Sequence, residues 1–86
     1  MVGIVEDCVP NESGYTVYCT QRNRFFSGDT VELLSPKTRP VVMQINAVQN
    51  ADGEYIESVN HAQMPFSFHS DIPFPKGTYI RKNMEE

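Results

Sequence analysis

Gln21-Arg22-Asn23-Arg24-Phe25-Phe26-Ser27-Gly28-Asp29-Thr30-Val31-Glu32-Leu33-Leu34 is the stretch whose reading decides the fold. It opens on a polar, doubly basic crossing, Gln21 to Arg24, and passes into an aromatic pair that needs burial. Gly28-Asp29 then reads as a tight turn: glycine takes positive φ without steric cost, and aspartate bonds its own nearby backbone. From Thr30 to Leu34 the alternation places Val31 and Leu33 on one face of a strand. A turn that feeds directly into a strand is how small barrels change direction.

Working outward, Gly3–Val9 reads as a first strand, and Pro10–Gly14 as the first hairpin loop. Tyr15–Thr20 is the clearest strand, with Tyr15, Val17 and Cys19 on one face and Thr16, Tyr18 and Thr20 on the other. Ser35–Pro40 carries two prolines and is a turn outside any sheet interior. Val41–Gln49 alternates with Val41, Met43, Ile45 and Ala47 on one face; Val42 and Val48 break the pattern and suggest a bulge or a strand covered on both faces at its ends. Asp52-Gly53 between strand-like runs is the strongest hairpin signal in the chain. Tyr55–Val59 is a further strand, Asn60–Gln63 a polar corner, and Met64–His69 a strand with Phe66 and Phe68 on one face. After the loop 71–77, Thr78–Lys82 closes the sheet.

No segment sustains a helical period. The expectation is all-β: a small antiparallel β-barrel of six to seven strands, closed or nearly so. An internal echo supports it. Phe-Ser-Gly-Asp-Thr-Val-Glu-Leu and Phe-Pro-Lys-Gly-Thr-Tyr-Ile-Arg both run aromatic, turn, glycine-polar, strand, so two strands are expected to be entered alike from opposite halves.

At 86 residues one domain is expected, spanning 1–86, and about 60–65% of the unfolded surface is buried in a chain this short. The chain lacks a run of about 18 apolar residues and a basic–apolar leader at its start, so neither a membrane nor secretion is expected. A net charge of −4 argues against a general polyanion binder. Cys8 and Cys19 form no CxxC pair, and their reading is two cytosolic free thiols, with a disulfide or zinc site as the alternative.

Catalytic chemistry finds little support. No serine sits in a GxSxG context. Cys8 and Cys19 lie within strands, where packing is favoured over an exposed thiolate. His61 and His69 have no neighbouring ligand cluster. The basic residues carry more. Arg22, Arg24, Lys37 and Arg39 would converge if the barrel brought their loops to one rim, giving a contact for phosphates or an acidic surface. Against this stands a structural role, in which the arginines bond carbonyls to pin the crossing or pair with Glu32. Tyr15, Tyr18, Tyr55 and Tyr79 offer either a stacking surface or core with a wet tip.

The run Gln-Arg-Asn-Arg-Phe, followed by Gly-Asp-x-x-Glu, resembles the signature of the C-terminal domain of the collagenase-like peptidase family U32. Asp52-Gly53-Glu54, Ile56-Glu57, Asn60-His61-Ala62-Gln63 and Pro75–Lys82 extend the resemblance over nearly the whole chain. Ala62 stands where a proline is expected, and Thr78 where a second Gly-Asp would have its aspartate. The resemblance implies a β-barrel akin to the second domain of translation elongation factors, appended to a larger N-terminal catalytic domain. That domain carries the family's cysteines, so no catalytic position transfers here and no cofactor is expected in this domain. It further implies cytoplasmic proteins, peptidases or RNA and quinone hydroxylation factors with iron–sulfur chemistry. The chain thus reads as an excised accessory domain that binds substrate or structured RNA, or docks on its catalytic domain. The discriminating feature is whether the apolar residues Phe26, Ile72 and Phe74 ring the basic rim.

Overall fold

The computed structural model describes residues 2–36, 39–59 and 63–82. Among the described residues nine strands follow in order: β1 (Gly3–Asn11), β2 (Gly14–Gln21), β3 (Phe25–Phe26), β4 (Thr30–Leu34), β5 (Val41–Gln44), β6 (Gln49–Asn50), β7 (Ser58–Val59), β8 (Pro65–Ser70) and β9 (Tyr79–Lys82). Seven form one antiparallel sheet in the order β5-β4-β9-β1-β2-β8-β6, and β3 pairs with β7.

Connectivity forces this sheet to curl. Its two border strands, β5 and β6, are consecutive in the chain. Gln44 and Gln49 are five steps apart and span at most about 18 Å. The borders of a flat seven-stranded sheet would stand roughly 29 Å apart. The result is a curled half-barrel, drawn together at one end by a belt of backbone bonds: Ile45 N to Asp29 O (3.0 Å), Ser27 N to Glu57 O (2.8 Å) and Ile56 N to Val48 O (2.9 Å).

The concave side holds the core. Alternation delivers Val17 and Cys19 from β2, Val31 and Leu33 from β4, Phe66 and Phe68 from β8 and Ile80 from β9, all buried together with Val5, Phe25 and Val59. Phe25 meets Phe66 edge-to-face with centroids 5.0 Å apart. A bulge at Glu6 shifts the β1–β2 register, so Val5 opposes Cys19 and Cys8 opposes Val17. Both thiols are free.

Three expectations need correction. β1 runs on through Pro10 to Asn11, which β1 tolerates because, among the described residues, beyond Val5 only β2 pairs with its backbone. The single strand Val41–Gln49 is two: a left-handed Ala47 (φ 55°) turns the chain after Ile45 and buries Val48 instead. Tyr55–Val59 is a strand only at Ser58–Val59, with Tyr55 in a lone bridge to Gln49.

The internal echo is a repeated turn. Asp29 N donates to Phe26 O (3.0 Å) and Thr78 N to Pro75 O (3.2 Å), with Gly28 (φ 96°) and Gly77 (φ 92°) third in each. Positive φ at that position is the type II requirement. Each turn then clasps a neighbouring strand alike: Gly28 N to Ile45 O and Ile45 N to Asp29 O; Gly77 N to Val5 O and Val5 N to Thr78 O. The two strands so started, β4 and β9, lie side by side and antiparallel.

Candidate functional site: the basic crossing

The crossing from Gln21 to Arg24 links β2 to β3. Its backbone is fixed by Arg22 N (2.7 Å) and Asn23 N (3.3 Å), both donating to Val2 O. Gln21 is buried beneath it, and its Nε2 donates to Val59 O at 2.9 Å. Arg22 and Arg24 are exposed, and among the described residues neither pairs with a carboxylate. Glu32, the partner the sequence suggested, is taken by Arg81 (Nη2 to Oε1, 2.7 Å). Lys82 lies 3.5 Å from Asp29. The crossing is therefore pinned by main-chain groups, and its guanidinium groups are free to meet something else.

The rim is narrower than the sequence suggested. Gly3 opposes Gln21 on β2 and Ile80 on β9, and Ile80 opposes Leu33 on β4. From that common row the chain at Arg22 continues toward Glu32 and Arg81. Ser35 and Pro36 leave beyond Leu34, in the opposite direction, and Arg39 and Pro40 lead back into Val41 opposite Leu33. Arg39 therefore departs from the other end of the sheet, and Lys37 lies outside the described residues, as do Asn60, His61 and Ala62 of the polar corner.

The aromatic neighbours divide likewise. Phe26, 48% exposed, follows the crossing directly, whereas Phe74 is 4% exposed and belongs to the core. Ile72, 44% exposed, follows β8 at the end where Ser70 opposes Tyr15, far along the strands from Arg22. These three do not ring the crossing. Tyr18, Tyr55 and Tyr79 are exposed and Tyr15 half-buried, so none of the four is fully buried in the core.

The turn residues behave as read at Gly28 and Asp29: Asp29 Oδ2 accepts from Phe26 N at 2.9 Å. At Asp52-Gly53 the mechanism differs. Gly53 is left-handed (φ 83°), but it follows a turn closed by Gly53 N to Asn50 O (3.0 Å), the three-residue hairpin pattern. Asn50 Oδ1 holds it by accepting from Asp52 N (3.0 Å) and Glu54 N (2.9 Å). Asn50 is the residue the sequence reading missed, although an Asn two residues ahead of Asp-Gly is the signal of an Asx turn.

Catalytic candidates are unfavourably placed. Burial, followed by Glu6 and Cys8, drives the Cys19 thiol far above its ordinary range, which suppresses the nucleophilic thiolate. His69 faces Asn11 (3.4 Å) and Asp71 (3.6 Å) at the surface. Among the described residues no three His, Cys, Asp or Glu side chains are grouped to hold a metal, and no helix is long and apolar enough to cross a membrane. A cavity of about 190 Å³ between Tyr18, Ala51, Pro65 and Ser67 falls below the roughly 300 Å³ of small-molecule sites.

A curled antiparallel half-barrel with a basic crossing and a buried thiol defines a small all-β module. Residues 1–81 match the model of the peptidase family U32 C-terminal domain, and the chain belongs to that family. Two solved structures are similar, both of the C-terminal domain of a Geobacillus thermoleovorans protein described as a U32 peptidase. One is 25% identical, with a TM-score of 0.86 over 96% of this chain and 91% of that one. The other, a selenomethionine variant, is 26% identical, with a TM-score of 0.81 over 94% and 96%. No curated protein sequence matches.

Proposed function

We propose that this domain is a non-catalytic accessory module that holds substrate, structured RNA, for a catalytic domain in the same parent protein, through Arg22 and Arg24. One observation carries the reading. Both arginines are exposed and without a carboxylate partner among the described residues, on a crossing whose backbone already bonds Val2 O. Arg81 and Lys82, by contrast, are paired with Glu32 and Asp29. Exposed guanidinium forks suit phosphate oxygens, and Phe26 alongside offers a face on which a base can stack. The net charge of −4 repels a polyanion from other directions, so contact is oriented and weak in isolation. Two phosphate contacts to a structured RNA give a slope of about −1.4 to −1.8 on a log–log salt plot, the single-strand and duplex limits. Replacing Arg22 and Arg24 together by alanine should flatten that slope and leave the melting temperature unchanged. A wild-type slope of zero would refute the reading.

A docking role has its own observation. Leu34, Tyr79 and Ile4 form one register row on the convex face, with Tyr79 50% exposed and its two neighbours half-buried. If that row seats the catalytic domain, Tyr79→Ser should weaken association with the separately expressed catalytic domain, and the arginine pair should not.

A further inference from the structure

β5 is the open border of the half-barrel. Among the described residues its one hydrogen-bonded neighbour strand is β4. Ile45, just past its end, bonds back toward Asp29 and Gly28. In an antiparallel ladder alternate residues bond the same neighbour. Val41 and Met43 therefore bond β4, while the N–H and C=O groups of Val42 and Gln44 point outward. A border strand is ordinarily blunted by charge, proline or a bulge. Val41-Val42-Met43-Gln44 contains none of these, pairs with β4 in unbroken register, and leaves Val42 56% exposed. The carboxylates behind it are neutralised, Glu32 by Arg81 and Asp29 by Lys82. This border is locally neutral on a chain of net charge −4, so two copies can approach here without opposing carboxylates.

We propose that β5 pairs antiparallel with β5 of a second copy, about a two-fold axis at Met43. In that register Val42 stands opposite the partner's Gln44, and each such pair exchanges two N–H···O bonds, satisfying all the outward groups. An axis at Val42 would instead place Gln44 opposite the partner's Pro40, which has no N–H. An axis at Gln44 would run past the strand's end toward the left-handed Ala47. The two Met43 side chains, each packed at the margin of its own core, meet across the axis and join the two concave sides.

The test is sedimentation of the purified chain from micromolar to millimolar concentration. The expected result is a weight-average mass that climbs toward the dimer. Val42→Lys, at an exposed position, should raise the dissociation constant at least about tenfold with unchanged circular dichroism. Met43→Cys should give, under mild oxidation, a linked dimer whose disulfide maps to residue 43, because a non-hydrogen-bonded pair holds its Cα atoms about 4.5 Å apart. A wild-type chain that stays monomeric throughout overturns the proposal, including the case in which this border takes an extended segment of another protein. A dimer indifferent to Val42→Lys overturns it as well. If Met43→Cys fails to fold, Val42→Lys still decides.

Discussion

Gly28→Val isolates the backbone cost of the turn that starts β4. Gly28 sits at φ 96° in a turn closed by Asp29 N to Phe26 O. A Cβ built there would meet only Asn46 Oδ1, at 4.0 Å, so there is space and no clash. What remains is conformational. A left-handed position costs an ordinary L-residue roughly 1–2 kcal/mol, and a β-branched one up to about 3 kcal/mol. The unfolded chain's loss of freedom returns about 0.4–1 kcal/mol. A net cost of roughly 1–2.5 kcal/mol should lower the melting temperature by about 4–20 °C, at some 4–8 °C per kcal/mol for a domain of this size. Thermal melts by circular dichroism should place the wild type first, then Gly28→Asn, Gly28→Ala and Gly28→Val in falling stability, since asparagine tolerates this region best among side chains. Gly14→Ala provides the contrast: its Cβ would lie 2.5 Å from Ser70 O, so the backbone must move. If Gly28→Val melts with the wild type, or Gly28→Asn is as damaging as Gly28→Val, φ is not what selects glycine here.

Four further outcomes are expected. Asn50→Ala removes the acceptor of two backbone bonds and should cost about 1–2 kcal/mol, whereas Asp52→Ala should stay within about 0.5 kcal/mol; urea melts distinguish them. Phe25→Ala empties the buried contact with Phe66 and should cost about 3–5 kcal/mol, enough to unfold a marginal domain, seen as loss of near-ultraviolet circular dichroism. Stability should fall as pH rises above the ordinary thiol value of 9.0. There the unfolded chain releases the Cys19 proton and the native one keeps it, so the slope approaches about 1.4 kcal/mol per pH unit, and Cys19→Val should remove it in urea melts. Arg81→Ala, at a half-exposed ion pair with Glu32, should cost at most about 1 kcal/mol by the same melts.

Local patterning was the legible part of this fold. Alternation put Val17 with Cys19, Val31 with Leu33 and Phe66 with Phe68 on shared faces, and the structure buries all six. Glycine-centred turns were readable because positive φ is a property of one residue. Thr78, a departure from the Gly-Asp pattern, has a reason in its own turn. The first residue there is Pro75, which has no N–H for an aspartate to accept, and Thr78 Oγ1 donates to Pro75 O instead (2.7 Å). Register was not legible. That Arg22 and Arg39 leave opposite ends of the sheet depends on β9 lying between β1 and β4, and no short window encodes it. Ala47 was misread because a left-handed alanine leaves no mark on an apolar alternation.

The place of β9 has a kinetic consequence. The last of the described strands sits between β1 and β4, so the sheet cannot exist as one object until residue 82 is available. Before that, β1, β2, β8 and β6 can associate on one side and β4 with β5 on the other, each exposing a raw border. Joining them closes loops of more than forty residues, and such non-local assembly belongs to the slow, millisecond-to-second class. During synthesis the two pieces wait for their keystone. A partner able to cover those borders would act during that interval, before the domain has a surface of its own.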